Sequence, residues 1–226
     1  MSVKINLLKS YYSMENRSNF NKIAPYYDRI CQLVFGLRVK NAQIASLKFI
    51  PANSTVLIVG GGTGWILNEI NRIHPSGLNI TYLEKSSKMI QLSKEKSLSF
   101  NMIEFLQKSI DTTDLFYQKY DVILTPFLLD CFSRVNLRMV FKKLDESLKI
   151  NGLWLYIDFN ISPKSKLWQR MTIKLMCIFF RLTCNLEISR LASVSAYFAR
   201  FKIIKEKMYL NKFIVMRVFQ KRNSIV

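Results

Sequence analysis

A single histidine, His74, stands in the 226-residue chain, together with only 4 cysteines, 5 prolines and 7 glycines. One imidazole leaves little for a histidine metal cluster or a Ser-His-Asp relay. It falls in the turn Ile73-His74-Pro75-Ser76-Gly77, where a solvated side chain is expected. The cysteines, Cys31, Cys131, Cys177 and Cys184, are widely spaced and include no C-x-x-C pair, which argues against disulfide and zinc frameworks and for free thiols in a reducing compartment. No metal is expected. So little proline and glycine excludes long low-complexity linkers, and no internal repeat is visible. Acidic residues are scarce as well, 15 against 34 basic ones for a net charge of +19. Such an excess draws a protein toward nucleic acid, anionic membrane or acidic substrates without specifying a fold. No apolar run approaches the ~18 to 20 residues of a spanning helix, and Met1 to Ser13 lacks the apolar centre and cleavage site of a signal peptide. A cytoplasmic location is therefore expected, with peripheral contact at the inner face of the membrane left open.

What is present is hydrophobic bulk, 50% of all residues, enough for a sizeable core in one domain spanning 1–226. Its organising stretch is Val56-Leu57-Ile58-Val59-Gly60-Gly61-Gly62-Thr63-Gly64. An apolar, β-branched run of strand length breaks into glycines, and a helical pattern, Trp65-Ile66-Leu67-Asn68-Glu69-Ile70, follows at once. Glycine suits such a turn because a side chain would hold a ligand off the backbone and because φ > 0 is open to it. The N–H groups at the helix start favour polar or anionic ligand groups. Gly60, Gly62 and Gly64 alternate as G-x-G-x-G, unlike the G-x-G-x-x-G of dinucleotide sites, and no G-K-[ST] follows as in a phosphate loop.

This stretch resembles motif I of the class I S-adenosylmethionine methyltransferases. Glu84, at the end of the apolar run Ile80-Thr81-Tyr82-Leu83, matches that family's second motif, a carboxylate that accepts hydrogen bonds from both ribose hydroxyls. The resemblance implies S-adenosylmethionine as cofactor, held by Gly60, Gly61, Gly62, Gly64 and Glu84, with Lys85 and Met89 flanking the adenine and Ser86 at a position where the family often has serine. The acid that usually precedes the first glycine by two is Ile58 here. After a third strand over Met102 to Gln107, Ser109 and Ile110 stand where the family contacts the adenine amino group, and Asp111 is an alternative.

Two further stretches carry the resemblance. Phe20-Asn21-Lys22-Ile23-Ala24-Pro25-Tyr26-Tyr27-Asp28 looks like the F-x-x-I-A-x-x-Y-D opening of ubiquinone and menaquinone methyltransferases, which closes over the cofactor. Tyr26 and Tyr27 can offer ring faces to a cation or simply pack. Tyr120-Asp121-Val122-Ile123-Leu124-Thr125-Pro126-Phe127-Leu128-Leu129-Asp130 reads as a buried strand ending at the ligand edge of the sheet, like motif IV. Thr125 would lie near the methyl group and Asp130 would face the acceptor; Asp130 and Tyr27 are the catalytic candidates, an N-cap or surface carboxylate being the plainer role for Asp130.

Along the chain, a helix is expected over Tyr27 to Leu47, with Ile30, Leu33, Val34 and Leu37 facing the core. Others follow over Ser87 to Leu98 and over Asn136 to Leu148, the latter ended by Ile150-Asn151-Gly152 as a C-cap. Strand five is Leu153 to Asp158. Lys166 to Leu182 places Leu167, Trp168, Met171, Leu175, Met176, Phe179 and Leu182 on one wide face and Lys166, Arg170, Lys174 and Arg181 on another, an amphipathic basic helix. A short helix over 188–198 and an antiparallel hairpin, Phe201 to Tyr209 with Phe213 to Phe219, complete the chain. The family fold implied is α/β, a Rossmann-like seven-stranded, mostly parallel sheet in order 3-2-1-4-5-7-6 with helices on both faces and the terminal strand antiparallel. Its parts are an N-terminal helical cap (1–50), a cofactor-binding core (51–160) and substrate-side helices with the hairpin (161–226).

Three functions compete on this reading. Methyl transfer to a small, apolar, quinone- or lipid-like acceptor is favoured by the opening motif and the apolar helix. RNA methylation is favoured by charge alone, since Thr125-Pro126-Phe127-Leu128 is not the N-P-P-Y tetrad of base N-methylation and Cys131 lacks the Pro-Cys context of cytosine-C5 enzymes; no specific nucleic-acid partner is expected. A catalytically silent S-adenosylmethionine-binding protein is allowed by Ile58. The oligomeric state is not legible.

Overall fold

The computed structural model describes residues 19–96, 100–162, 164–186 and 194–223. Seven strands form one sheet: β1 (Thr55–Val59), β2 (Ser76–Leu83), β3 (Phe100–Leu106), β4 (Tyr120–Pro126), β5 (Leu148–Phe159), β6 (Phe201–Tyr209) and β7 (Ile214–Lys221). Their order is β3-β2-β1-β4-β5-β7-β6, with β1 to β5 parallel and β7 antiparallel to both neighbours, as the resemblance implied. Among the described residues six α-helices accompany them: α1 (Tyr27–Phe35), α2 (Arg38–Leu47), α3 (Trp65–Ile73), α4 (Ser87–Glu95), α5 (Arg134–Ser147) and α6 (Leu167–Cys184).

β1 lies between β2 and β4 and is covered on both faces, which is why its sequence is continuously apolar. Alternation splits its side chains between two cores: Val56 and Ile58 join residues of α2, α3 and α6, while Leu57 and Val59 join Leu137, Val140, Phe141 and Leu144 of α5. Each fully buried aliphatic chain contributes about 1.5 to 3 kcal/mol. In the second core Phe141 of α5 stacks on Trp154 of β5 at 4.8 Å, and the terminal hairpin meets β5 through Trp154–Phe201 at 6.0 Å and Tyr156–Phe219 at 6.2 Å. β6, at the edge, carries Lys202, Lys205 and Lys207, which discourage pairing with another chain.

Four expectations are corrected. The helix expected over Tyr27 to Leu47 is two helices, because Gly36 adopts φ 59° and donates to the Gln32 carbonyl at 2.8 Å, a helix C-terminus. The break also upsets the predicted core face. Leu33, Val34 and Leu37 are 88%, 49% and 57% exposed, and α1 reaches the core through Phe35 instead. Asn151 and Gly152 do not cap α5, which ends at Ser147; they form an irregularity inside a longer β5, where Asn151 has φ 63° and the pairing with β4 shifts register. On α6 the inward side chains are Gln169, Ile173, Met176 and Cys177, whereas Leu167, Met171, Leu175 and Leu182 face outward. Of the short helix expected over 188–198, residues 188–193 lie outside the described residues and 194–198 run as turn, not helix.

Candidate functional site

The carboxyl ends of the parallel strands β1, β2, β4 and β5 converge on one edge, the place where ligands bind in open α/β sheets. From β1 the chain turns through Gly60 to Gly64 into α3. A Cβ added at Gly61 would stand 2.2 Å from the Tyr82 ring and one at Gly60 2.8 Å from Leu128, whereas one at Gly62 would meet nothing within 4 Å. The first two glycines therefore serve packing inside the protein. Gly62 alone opens outward, and its N–H donates to Glu84 Oε2 at 3.1 Å while its carbonyl accepts from the Tyr82 hydroxyl at 3.0 Å.

Glu84, just after β2, also accepts from the Ser86 N–H at 2.8 Å through Oε1. Burial is the largest influence on its carboxyl and raises its pKa; the backbone donors of Ser86, Gly62 and Lys85 oppose that. A half-sunk carboxylate beside an open glycine fits the ribose of a nucleoside cofactor, because vicinal hydroxyls would supply the donors that water gives up on binding. The geometry fits what the resemblance implies, that Gly62 and Glu84 would hold S-adenosylmethionine. The group itself brings an activated methyl on sulfur, and the chain's task is to align an acceptor and exclude water.

The other sequence candidates divide. Met89 is buried at 2% exposure in the first turn of α4, and Ser86 caps that helix, its Oγ accepting from the Met89 N–H at 3.1 Å. Ser109 and Ile110 sit in the turn after β3, where the Ser109 carbonyl accepts from the Thr113 hydroxyl at 2.6 Å and Ile110 packs into the α5 core. Lys143 Nζ holds that turn by donating to the carbonyls of Ile110 and Asp111. Thr125 is wholly buried, and its hydroxyl accepts from Trp154 Nε1 at 2.9 Å, so its side chain braces β4 against β5. Ile58, where the family usually has an acid, is fully buried in the α2–α3–α6 core. His74, expected to be solvated, is half-buried with Nε2 3.3 Å from the Leu47 carbonyl.

Tyr26 is 60% exposed, while Tyr27 turns inward. Tyr27 lies among Phe20, at 6.3 Å between ring centres, and Phe180 of α6, at 6.5 Å. Burial pushes its hydroxyl well above the ordinary tyrosine pKa, and burial likewise pushes the neighbouring Cys31 thiol up to about 11. Asp130 is no N-cap: it lies buried in a short 3-10 turn, Leu129–Cys131, beyond β4.

Sequence reasoning quoted Asn21 and Asp28 without giving them a task. Asn21 Oδ1 accepts from the Ser86 hydroxyl at 2.6 Å and from the Lys88 N–H at 3.2 Å, tying the opening motif to the chain just past Glu84. The Asp28 carboxylate accepts from the Thr63 hydroxyl at 2.8 Å and pairs with Lys96 at 3.2 Å, tying the same segment to the glycine turn. The opening motif thus latches over both sides of the site. Lys96 and Asp28 keep side-chain exposures of 32% and 31%, so that pair contributes about 0 to 1 kcal/mol, less than the bond to buried Thr63. Asp28→Ala is expected to lower unfolding free energy by about 1 to 3 kcal/mol and to speed proteolysis ahead of Tyr27. A urea midpoint equal to wild type would mean that the latch contributes nothing.

A family model for a methyltransferase domain matches residues 56–152, which run from β1 into β5 and hold both Gly62 and Glu84. Over 125 residues the chain is 34% identical to the demethylmenaquinone methyltransferase of Porphyromonas gingivalis, an alignment that covers 52% of this chain and 50% of that enzyme. The chain therefore spans about half the length of that curated relative. Among solved structures, a chain from the complex between the Haloferax volcanii Trm112 methyltransferase activator and a methyltransferase superimposes with a TM-score of 0.66 at 12% identity, covering 92% of this chain and 99% of that one. The Burkholderia thailandensis 1,6-didemethyltoxoflavin-N1-methyltransferase, solved with 1,6-didemethyltoxoflavin and S-adenosylhomocysteine, gives 0.64 at 11% identity, covering 95% and 90%.

Proposed function

We propose that this chain, whose residues 56–152 match a family model for a methyltransferase domain, uses S-adenosylmethionine to methylate a small, apolar, quinone-like acceptor taken up at an anionic membrane surface. The observation that carries this reading is α6. Leu167, Met171, Leu175, Ile178 and Leu182 recur at steps of four, four, three and four and are 71%, 54%, 62%, 40% and 75% exposed. That is one apolar stripe facing outward. Lys166, Arg170, Lys174 and Arg181 each precede a stripe residue by one, except for Ile178, and form an exposed basic band along its flank. An interfacial helix needs this pairing, with apolar chains entering the acyl boundary and lysine or arginine meeting lipid phosphates.

The reverse side of α6 bears on the site through Phe180, which contacts Phe20 at 5.7 Å and Tyr27. An acceptor passing from the membrane along α6 would meet rings and thiols, not ammonium groups, and this supports an apolar substrate over RNA. The similarity to a demethylmenaquinone methyltransferase supports the quinone-like class. No helix among the described residues is long and apolar enough to cross a membrane, so attachment would rest on this surface.

Each basic residue near an anionic surface contributes about 1 kcal/mol, so changing Lys166, Arg170, Lys174 and Arg181 together to glutamine is expected to reduce co-sedimentation with phosphatidylglycerol vesicles at least ~10-fold at low salt. Equal sedimentation of variant and wild type, or self-association through this face with no vesicle binding, would remove the membrane from the proposal. Activity is tested by transfer of labelled methyl from S-adenosylmethionine to reduced demethylmenaquinone in those vesicles. Labelling of RNA with none of the quinone overturns the proposed acceptor.

A further inference from the structure

The break at Gly36 leaves α1 with an exposed apolar side. Phe35 is the helix's buried residue, and opposite it, at steps of four and three, stand exposed Tyr26, half-buried Ile30 and exposed Leu33. Val34, and Leu37 just past the helix end, are exposed as well. Exposed apolar side chains grouped in this way mark a contact with protein or membrane. α1 does not present them alone. Its first residue, Tyr27, meets Phe180 in the C-terminal part of α6 at 6.5 Å, and its last, Phe35, shares Phe213 with Trp168 at the start of α6, at 6.2 and 5.2 Å. The two helices therefore run antiparallel along one another. Phe35 and Ile173 also enter the same core, so α1 and α6 cover one face of the sheet and turn their outer sides the same way.

The charge on both helices fits a lipid surface. Among residues 19–50 the one acid, Asp28, is turned to Thr63 and Lys96 at the cofactor side, and between Asn160 and Asn185 there is no acid at all. Arg29 stands one turn before Leu33 and Arg38 directly follows Leu37, both exposed, as the basic band of α6 stands beside its stripe. Apolar chains flanked by cations, with their one carboxylate already paired, match an anionic membrane, whose acyl boundary takes the former and whose phosphates take the latter. A second copy of this chain would set like charge against like charge across the contact.

We propose that α1 and α6 form one membrane-seating face, in which Tyr26, Leu33 and Leu37 enter the acyl boundary alongside the α6 stripe while Arg29 and Arg38 meet lipid phosphates. The inference rests on the membrane reading of α6 above and extends that contact to the opening segment, which also carries the latch residues Asn21 and Asp28. Two helices define a plane, whereas one alone would leave the protein free to roll about its axis on the membrane. The rings of Tyr27 and Phe180, where the two helices touch, are then held on a fixed side of the contact, and an acceptor leaving the lipid along α6 meets them from a set direction.

The test is Leu33→Gln combined with Leu37→Gln, which leaves the α6 band intact. Both side chains are exposed, so the variant is expected to keep the wild-type Tm and S-adenosylmethionine affinity. Its co-sedimentation with phosphatidylglycerol vesicles is expected to fall at least ~10-fold, because two leucines no longer leave water on binding. In a second measurement, Leu33→Trp is expected to add fluorescence that acyl-brominated phosphatidylglycerol quenches. Phe116→Trp, exposed in the loop after β3 and next to Leu115 of the other core, should add fluorescence that those lipids leave unquenched. If wild type binds the vesicles and the double variant binds equally well, or if the Leu33→Trp emission is not quenched, α1 is no part of the contact and the reading of α6 stands without it. A wild type that binds no vesicles removes the membrane reading and this inference together. Self-association of wild type that the double variant abolishes, with vesicle binding unchanged, would make the α1 side an interface between copies and overturn the proposal.

Discussion

Glu84→Ala is expected to weaken S-adenosylmethionine binding by roughly 30- to 800-fold, the equivalent of about 2 to 4 kcal/mol for two charge-assisted hydrogen bonds lost in a half-buried site. The carboxylate already spends one lone pair on each of the Gly62 and Ser86 N–H groups, at 3.1 and 2.8 Å, and these bonds aim its remaining lone pairs. Ribose hydroxyls would meet an acceptor fixed in place, so little ordering cost is left for binding. Alanine removes the acceptor and leaves two backbone donors to water. Glu84→Gln keeps the shape and half of the accepting capacity, and its affinity should fall between the two. Burial holds the carboxyl above the usual glutamate range, so binding should weaken as pH falls through that raised value, where a protonated Glu84 no longer accepts from both hydroxyls. Calorimetry across pH measures both effects. An alanine variant that binds as tightly as wild type would falsify the assignment of Glu84.

The β1-to-α3 turn was legible because it rests on local signals, a continuous apolar run and a glycine break, whereas the strand order came from the family resemblance those signals carry. Where local periodicity was followed through a breaker it misled. Gly36 inside an otherwise helical pattern was a C-terminus, and reading across it put Leu33 and Leu37 on a core face they do not share. On α6 periodicity gave the exposed basic band but one wide apolar face, which the structure splits, Met176 packing inward while Leu167, Met171, Leu175 and Leu182 face out; Trp168 packs on Phe213, and the polar Gln169 is buried, its amide donating to the Asn211 carbonyl at 3.0 Å. Asp28 and Asn21 were invisible as site residues for a different reason. Their partners, Thr63 and Ser86, stand 35 and 65 positions away, and no spacing rule reaches that far.

Two single methyl groups in one turn should separate binding from stability. Gly62 and Gly64 both hold positive φ, 64° and 78°, so alanine at either costs about 1 to 2 kcal/mol of backbone strain. Their surroundings differ. At Gly64 the new Cβ would stand 2.5 Å from the Cα of Ser93 in α4, a backbone atom that moves only if α3 and α4 part, which adds about 1 to 3 kcal/mol of overpacking. Gly64→Ala is therefore expected to lose about 2 to 5 kcal/mol of unfolding free energy, while the molecules that remain folded bind S-adenosylmethionine within about 3-fold of wild type. At Gly62 the Cβ meets no protein atom within 4 Å and projects beside the N–H that holds Glu84. Gly62→Ala should lose only the strain, about 1 to 2 kcal/mol, yet bind the cofactor at least ~10-fold more weakly because the methyl occupies the approach to the backbone. Urea unfolding and calorimetry on the two variants decide the matter. If Gly62→Ala binds normally, the space above Gly62 is not where the cofactor lies, and the resemblance of this turn to a nucleoside-binding site stops at its backbone.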